Sequence, residues 1–380
     1  MKRILTIVGA RPQIIKAAAI SRAIQTQFSE QLHEDILHTG QHYGENMSEV
    51  FFRELGIPLP KHQLATGGGH HGEQTAKMIA GIESILLKER YDAVLVYGDT
   101  NSTLAGSLAA SKLHIPLIHV EAGLRSFNKA MPEEINRIVC DHVSSLLFSP
   151  TLQGIENLKK ENIVHHPDGI GPDSPRVFHC GDIMYDNALH FSKQVVDRAS
   201  HWHITPGQFI LCTIHRDHNT DDPAKLDQIL HGLCEIASQF EQHIILPIHP
   251  RTKQKLSPEW TDRLASNPLI KLVSPLSYLD MIFLESQCSA IITDSGGVQK
   301  EAYFFMKPCL IMRDQTEWVE LVENGNAQLC ETNAEVMLKR FKALISYKKD
   351  MIWPSLFGNG DSASFICKEI TLLLANAHTV

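Results

Sequence analysis

Short apolar runs alternate along the chain with longer stretches whose apolar positions repeat at helical spacing. The first run, Arg3 to Val8, crosses Gly9-Ala10-Arg11 into a helical pattern from Pro12 to Gln25, which predicts a βαβ beginning. Buried-strand runs follow at Asp35 to Thr39, Ala93 to Tyr97, Leu117 to Val120, Leu146 to Ser149 and Val177 to Cys180, separated by helical segments such as Glu73 to Lys88 and Ser102 to Lys112. This alternation predicts a parallel sheet covered by helices on both faces. Past Gly181 to Ser192 the chain turns polar, and the rhythm restarts at Phe209 to Thr213, with further runs at His243 to Pro247, Ile270 to Val273, Ala290 to Thr293 and Cys309 to Met312. The expected architecture is α/β, with two doubly wound Rossmann-like domains over 1–185 and 186–360. A final helix, Ser362 to Ala375 within 361–380, is expected to pack back across the domain junction. Open α/β sheets bind ligands at the carboxyl ends of their strands, so the two domains are expected to face a central cleft, and residues just after strands carry the functional weight.

Composition narrows the class. A chain of 380 residues, at roughly 150 per domain, fits two domains. Lys and Arg total 35 against 43 Asp and Glu, a net charge of −8 without any basic block, so no nucleic-acid partner is expected. No apolar run reaches the roughly 18 residues of a membrane span, and no basic, cleavable leader opens the chain, which points to a cytoplasmic protein without a membrane partner. The eight cysteines stand singly, mostly inside apolar runs, and read as reduced core residues rather than a disulfide framework or a zinc site. Among 21 histidines no single one is informative without context, and His70-His71, beside Gly67-Gly68-Gly69, reads as a loop tip in preference to a metal site.

Candidate chemistry clusters after the strands. A dinucleotide fingerprint after the first strand needs G-x-G-x-x-G, and only Gly9 is present, so an NAD site is disfavoured. Pro12 suits a helix start, which sets Arg11 and Lys16 as two cations beside a helix N-terminus, an anion-binding arrangement. Asp99 follows one strand and Glu121 the next; Glu133 and Glu134 open a helix behind Pro132, where glutamates also serve as dipole-stabilising caps. Together the carboxylates look like an acid/base cluster whose mutual repulsion raises one pKa. In the second domain His215 and Arg216 end a strand. The run Thr293-Asp294-Ser295-Gly296-Gly297-Val298-Gln299-Lys300-Glu301 is a strand, a tight turn and a helix, whose N–H groups can hold a diphosphate while Glu301 accepts from a ribose diol.

The motifs Gly9-x-Arg11-Pro12 with Lys16, Gly98-Asp99-Thr100, His119-Val120-Glu121-Ala122-Gly123-Leu124-Arg125, Pro132-Glu133-Glu134-x-Asn136-Arg137, His215-Arg216, Asp294-Ser295-Gly296-Gly297-x-Gln299-x-Glu301 and Met312-Arg313-Asp314 occur in this order. Such a set resembles the non-hydrolysing UDP-N-acetylglucosamine 2-epimerases, a family with the two-domain GT-B architecture, over essentially the whole chain. The resemblance implies that Arg11, Lys16, His215, Ser295, Gly296, Gly297 and Arg313 surround a nucleotide diphosphate and that Glu301 holds the ribose. It implies that Asp99, Glu121 and Glu133 are the acid/base carboxylates with His215 in the catalytic set, that Arg137 binds substrate, and that Leu276 and Met281 match the segment contacting uracil. A UDP-sugar substrate, no cofactor, no metal and a homodimer go with it.

Three departures stand out. Relatives acting on plain UDP-N-acetylglucosamine usually have Glu where this chain has Gln13, and Thr-Glu-Arg where it has Thr316-Glu317-Trp318. An Arg-Gln pair that helps bind a second, activating UDP-sugar in some relatives is replaced by Glu73-Gln74. The first two look more like the branch acting on UDP-2,3-diacetamido-2,3-dideoxyglucuronate, and a neutral Gln13 is expected to spare the sugar carboxylate a like charge. Inversion at C2, which is not next to a carbonyl, proceeds either through a bound nicotinamide or by elimination of UDP to a 2-acetamidoglycal and re-addition; the sequence favours the second, for surface polysaccharide precursor synthesis. A GT-B glycosyltransferase or a hydrolysing 2-epimerase would share the fold, and a non-catalytic UDP-sugar sensor would lack the three carboxylates.

Overall fold

The computed structural model describes residues 1–41, 51–195, 198, 202 and 204–376, and the chain clusters into two units, Met1–Asn187 with Ser355–Val380, and Ala188–Pro354. In the first unit the strands are β1 (Lys2–Val8), β2 (Leu32–His38), β3 (His62–Gln63), β4 (Ala93–Tyr97), β5 (Leu117–Val120), β6 (Leu146–Ser149) and β7 (Arg176–His179). They form one parallel sheet in the order β3-β2-β1-β4-β5-β6-β7. Right-handed crossovers that run one way from β1 to β3 and the other way from β4 onward cover both faces with helices and leave the carboxyl ends of β1 and β4 flanking the switch point. The run Ala93-Val94-Leu95-Val96-Tyr97 is buried throughout, as a strand covered on both faces must be. On one face Leu5, Ile7, Leu37, Val94 and Val96 pack with Met78, Ile82, Ala105 and Ala109 of the helices His71–Lys88 and Asn101–Lys112. The opposite layer includes the helix Arg11–Ala23, against which the C-terminal helix Ser362–Asn376 packs; Asp186 accepts from the first N–H groups of that helix, Ser362 at 3.3 Å and Ala363 at 2.8 Å.

The second unit repeats the plan with β8 (Phe209–Thr213), β9 (His243–Pro247), β10 (Ile270–Val273), β11 (Ala290–Thr293), β12 (Cys309–Ile311) and β13 (Ala327–Leu329), parallel in the order β10-β9-β8-β11-β12-β13. Its switch point lies between β8 and β11. Ile210, Cys212, Ile244, Ile292 and Leu310 from the sheet meet Ile229, Leu233, Met337 and Phe341 from the helices Pro223–Phe240 and Ala334–Ser346. The α/β class and the doubly wound form expected from the periodicity are those of the chain. Among the described residues no helix is long and apolar enough to cross a membrane. All eight cysteines are free, and seven of them are buried.

The differences from the expected elements are local. β3 and β13, at the sheet edges, have two and three residues, too few to show a period. β2 starts three residues before the expected Asp35 because Glu34 is satisfied inside, accepting from Thr6 Oγ1 and Ser21 Oγ, so a charged residue sits in a buried strand. His70-His71 stands at a helix start in place of the expected loop tip: His70 precedes the helix His71–Lys88 without a side-chain cap, and the His71 ring pairs with Asn101 Nδ2 at 3.0 Å. The segment just ahead of the polar stretch is the helix Ile183–Ser192.

β2 also carries Asp35, which accepts from Arg3 at 2.7 Å, Lys61 at 3.0 Å and the Tyr91 hydroxyl at 3.0 Å. Burial would raise its carboxyl, but these three donors outweigh it and bring the pKa from 3.8 down to about 2. A depressed carboxylate stabilises the fold fully above its unfolded pKa and loses that contribution as pH falls through the folded value. Asp35→Asn should therefore melt below wild type at neutral pH, and the gap should narrow as pH falls from about 4 towards about 2. Thermal melts across that range decide it, since a gap independent of pH would mean that the carboxylate charge contributes nothing.

Candidate functional site

Around the first switch point, the ends of β1, β4 and β5 bring several of the expected residues together. Tyr97 lies opposite Val120 in the β4–β5 register, so Gly98-Asp99 and Glu121 leave neighbouring strand ends. Gly98 has φ +61°, and a Cβ there would lie 3.1 Å from Glu121 Oε2 and 3.2 Å from Lys16 Nζ, so the turn leaves room for that pair. Lys16, reaching from the helix Arg11–Ala23, forms an ion pair with Glu121. Glu121 has φ +74°, a left-handed backbone costing a non-glycine residue about 1–3 kcal/mol, and both its N–H and that of Ala122 point to the Phe148 carbonyl at 3.0 Å.

Asp99 is held at two points by the helix Pro132–His142, with Arg137 Nη2 2.5 Å from its carboxylate and Asn136 Nδ2 2.8 Å from its carbonyl. Glu134 on the same helix is buried and accepts from the Ser126 and Phe127 N–H groups and from Arg137, which together hold its carboxyl down against the effect of burial. The expected mutual repulsion of the carboxylates is thus replaced by separate pairing: Glu121 has Lys16 and Asp99 has Arg137. Glu133 is exposed one position away, in the first turn of the helix. Arg11 lays its guanidinium 4.3 Å over the Phe51 ring.

In the second unit, Asp294 at the end of β11 is fully buried and accepts from the His215 N–H at 3.2 Å, the Arg216 N–H at 3.1 Å and Asn219 Nδ2 at 3.1 Å. His215 Nδ1 also lies 3.1 Å from Asp294, with half of its side chain exposed. Burial alone would raise the Asp294 carboxyl, but His215 and the other donors lower it, so a fixed anion orients the His215 ring. Ser295 caps the helix Gly296–Phe304, its Oγ accepting from the Val298 N–H at 3.5 Å, and Gly296 and Gly297 open that helix. Arg313, expected at the diphosphate, donates to Glu317 at 2.7 Å, and Glu317 packs against Gly296, where an added Cβ would come within 2.9 Å of it. Leu276 and Met281 are half-buried at the start of the helix Tyr278–Gln287. Glu301 is buried facing Glu285 of the helix Tyr278–Gln287; burial and then Glu301 push the fully buried Glu285 carboxyl well up.

Sequence reasoning missed Glu285, Asp141 and the supporting role of Glu134. A signal for the last two exists: Glu134, Arg137 and Asp141 recur at three- and four-residue spacing, which puts three charged side chains on one helix face. Two of the departures, Gln13 and Trp318, turn inward. Gln13 is 1% exposed; its Oε1 accepts from the Gly9 N–H at 2.9 Å and the Ala10 N–H at 3.2 Å, while its Nε2 donates to the Tyr97 carbonyl and Thr103 Oγ1, both at 3.0 Å. Trp318 is 4% exposed, with Lys300 Nζ 4.3 Å from its ring centre. Every hydrogen-bonding group of the neutral Gln13 amide is thus used inside the fold. Glu73 pairs with Lys77 at 2.6 Å, and Gln74 accepts from Asn101 at 3.0 Å.

Gln13→Leu would strand two backbone N–H groups, and a buried unsatisfied group costs about 1–3 kcal/mol. Urea unfolding should therefore show a midpoint lowered by a loss of at least that size, with an unchanged slope. An unmoved midpoint would show that the amide is not what holds the first turn.

Comparison with known proteins gives a consistent result. The sequence model of the family UDP-N-acetylglucosamine 2-epimerase matches residues 24–371. The UDP-2,3-diacetamido-2,3-dideoxy-D-glucuronate 2-epimerase of Pseudomonas aeruginosa is 46% identical over 371 residues, which are 98% of this chain and 100% of the relative. The UDP-N-acetylglucosamine 2-epimerase of Methanocaldococcus jannaschii is 42% identical over 371 residues, 96% of this chain and 98% of the relative. The crystal structure of the Methanocaldococcus jannaschii UDP-GlcNAc 2-epimerase in complex with UDP-GlcNAc and UDP superposes with a TM-score of 0.84 at 41% identity, covering 97% of this chain and 99% of that one.

Proposed function

We propose that this chain, which belongs to the UDP-N-acetylglucosamine 2-epimerase family and is an isomerase, inverts C2 of a UDP-linked acetamido sugar without hydrolysing it, with UDP-2,3-diacetamido-2,3-dideoxyglucuronate as the preferred substrate. The observation that carries the reading is the pair of carboxylates at neighbouring strand ends, Asp99 and Glu121, each beside its own cation and the second held in a left-handed backbone. In the proposed reaction a carboxylate takes the C2 proton, the C2–H electrons form the C1=C2 bond of a 2-acetamidoglycal, and the C1–O bond breaks with its electron pair leaving on UDP. UDP then adds back through the same oxygen as a second carboxyl group delivers a proton to the opposite face of C2.

Asp99, Glu121 and Glu133 are assigned to the proton transfers, with Arg137 acting through Asp99. Arg11, Lys16, His215, Arg313 and the N–H groups at Ser295, Gly296 and Gly297 are assigned to the diphosphate, whose negative charge grows as the C1–O bond breaks. Glu301 is assigned to the ribose, and Leu276 and Met281 to the uracil. The preference for the diacetamido uronate is supported by whole-chain identity to the Pseudomonas aeruginosa enzyme. We place the enzyme in the cytoplasm as a homodimer that supplies a surface polysaccharide precursor, readings that follow from the family resemblance.

Incubation in deuterium oxide with a chelator and no added nicotinamide should give the C2 epimer with deuterium at C2. Asp99→Asn, Glu121→Gln and Glu133→Gln should lower kcat by a factor on the order of 10² or more while still binding UDP, and Glu301→Gln should mainly weaken UDP binding. Carboxamide variants with near-normal turnover would make those three residues structural.

The substrate assignment is checked by measuring kcat/KM for both UDP-sugars. The uronate should be favoured, and Gln13→Glu should lower stability without reversing the order of the two sugars. A wild-type preference for UDP-N-acetylglucosamine refutes the substrate and leaves the reaction type standing.

A further inference from the structure

His119, in β5 two residues before Glu121, is 0% exposed, and both its ring nitrogens are engaged. Nε2 lies 2.8 Å from the Gly98 carbonyl and Nδ1 lies 2.7 Å from Asp141 Oδ1. A carbonyl oxygen only accepts, so Nε2 carries a proton. Asp141 is also an acceptor throughout: its other oxygen takes the Gly123 N–H at 3.1 Å and Arg125 Nη1 at 2.7 Å. Burial would raise Asp141, but His119 and Arg125 outweigh it and keep the carboxyl low. Facing an ionised carboxylate, Nδ1 carries a proton as well. Among the described residues the Cys140 thiol also faces the ring, with Ser107 Oγ 2.9 Å from its sulfur. Charge balances locally, because Arg125 also pairs with Glu161 at 2.7 Å; two cations meet two carboxylates, the condition under which a buried ion is tolerated.

We propose that His119 is a permanently protonated positioning residue, whose imidazolium fixes the Gly98 carbonyl and so aims Asp99, while its Asp141 partner fixes the loop after Glu121. The peptide plane between Gly98 and Asp99 is the point of leverage. Gly98 sits in the left-handed region, its N–H donates to the Val120 carbonyl at 3.0 Å, and the next carbonyl, that of Asp99, is taken by Asn136. Without the Nε2–H donor the Gly98 carbonyl would lose its buried partner and the turn would be free to rotate that plane. On the other side, Asp141 holds the Gly123 N–H two residues past Glu121, so one His–Asp pair sets both carboxylate-bearing loops from below. The catalytic consequence rests on the proposed role of Asp99; the protonation state of the ring does not.

The test uses the full-length enzyme selectively labelled with 15N-histidine and long-range proton–nitrogen NMR, the His119 ring being assigned through its contacts with Cys140 and Gly98. Both nitrogens should show protonated-type shifts that stay constant from pH 6 to about pH 9, well above the unperturbed histidine value of about 6.5. One unprotonated nitrogen at pH 8, or a titration within that range, overturns the proposal. His119→Gln, whose amide donates from one nitrogen only and carries no charge, should lower kcat by about tenfold or more with the Kd for UDP within about twofold of wild type. Unchanged kcat in a folded variant refutes the positioning role. A wild type that turns over neither UDP-sugar refutes the epimerase reading instead, and the ring measurement still decides His119.

Discussion

Where a parallel strand stops inside a protein, its last carbonyls and the N–H groups that follow lose their ladder partners, and each must find another. This chain meets that constraint with polar side chains that hardly see solvent. Gln13 takes the Gly9 and Ala10 N–H groups and gives to the Tyr97 carbonyl; His119 gives to the Gly98 carbonyl; Asp141 takes the Gly123 N–H. In the second unit Asp294 takes the His215 and Arg216 N–H groups, and Asn219 gives to the Met312 carbonyl. The same answer in both units follows from the same topology, because in each the candidate residues leave strands at or next to those flanking the switch point.

A division of labour results. The supporting groups are buried, and the residues assigned to the proton transfers stand more open, Asp99 and Glu121 partly and Glu133 fully. A side chain that must gain and lose a proton cannot also be the sole partner of a buried peptide group, since each change would strand that group at about 1–3 kcal/mol. Strain is placed on the same logic. The left-handed backbone of Glu121 is sustained by the Phe148 carbonyl and the Lys16 ion pair, on a loop whose geometry the sheet already sets.

Much of this was legible in the sequence, for a physical reason. Strands buried on both faces must be apolar runs, so Ala93 to Tyr97 and Phe209 to Thr213 announce themselves, and a residue just after such a run falls at a carboxyl end. That is how Asp99, Glu121, His215 and Ser295 could be found. The direction a side chain takes from that point is not written in the period. Arg137 reads as a ligand for substrate, and its grip on Asp99 and Glu134 could not be read from the period; Glu285 sits in an ordinary apolar helix and reveals itself only by facing Glu301. β3 and β13 escaped because two or three residues carry no period at all.

Two of the three departures from the family pattern illustrate the same limit in its most useful form. An Arg at position 318 would meet the Lys300 ammonium, a like charge in a nearly buried place, whereas the Trp318 ring offers that ammonium its face. Trp318 is therefore matched to Lys300, one residue before Glu301 on the helix that the Ser295 turn begins. Gln13 is matched to two N–H donors and two acceptors, a set that only an amide, with one accepting and one donating end, can serve at once. Both side chains are answers to neighbours inside their own unit, and the measured likeness to the uronate 2-epimerase is one of the chain as a whole.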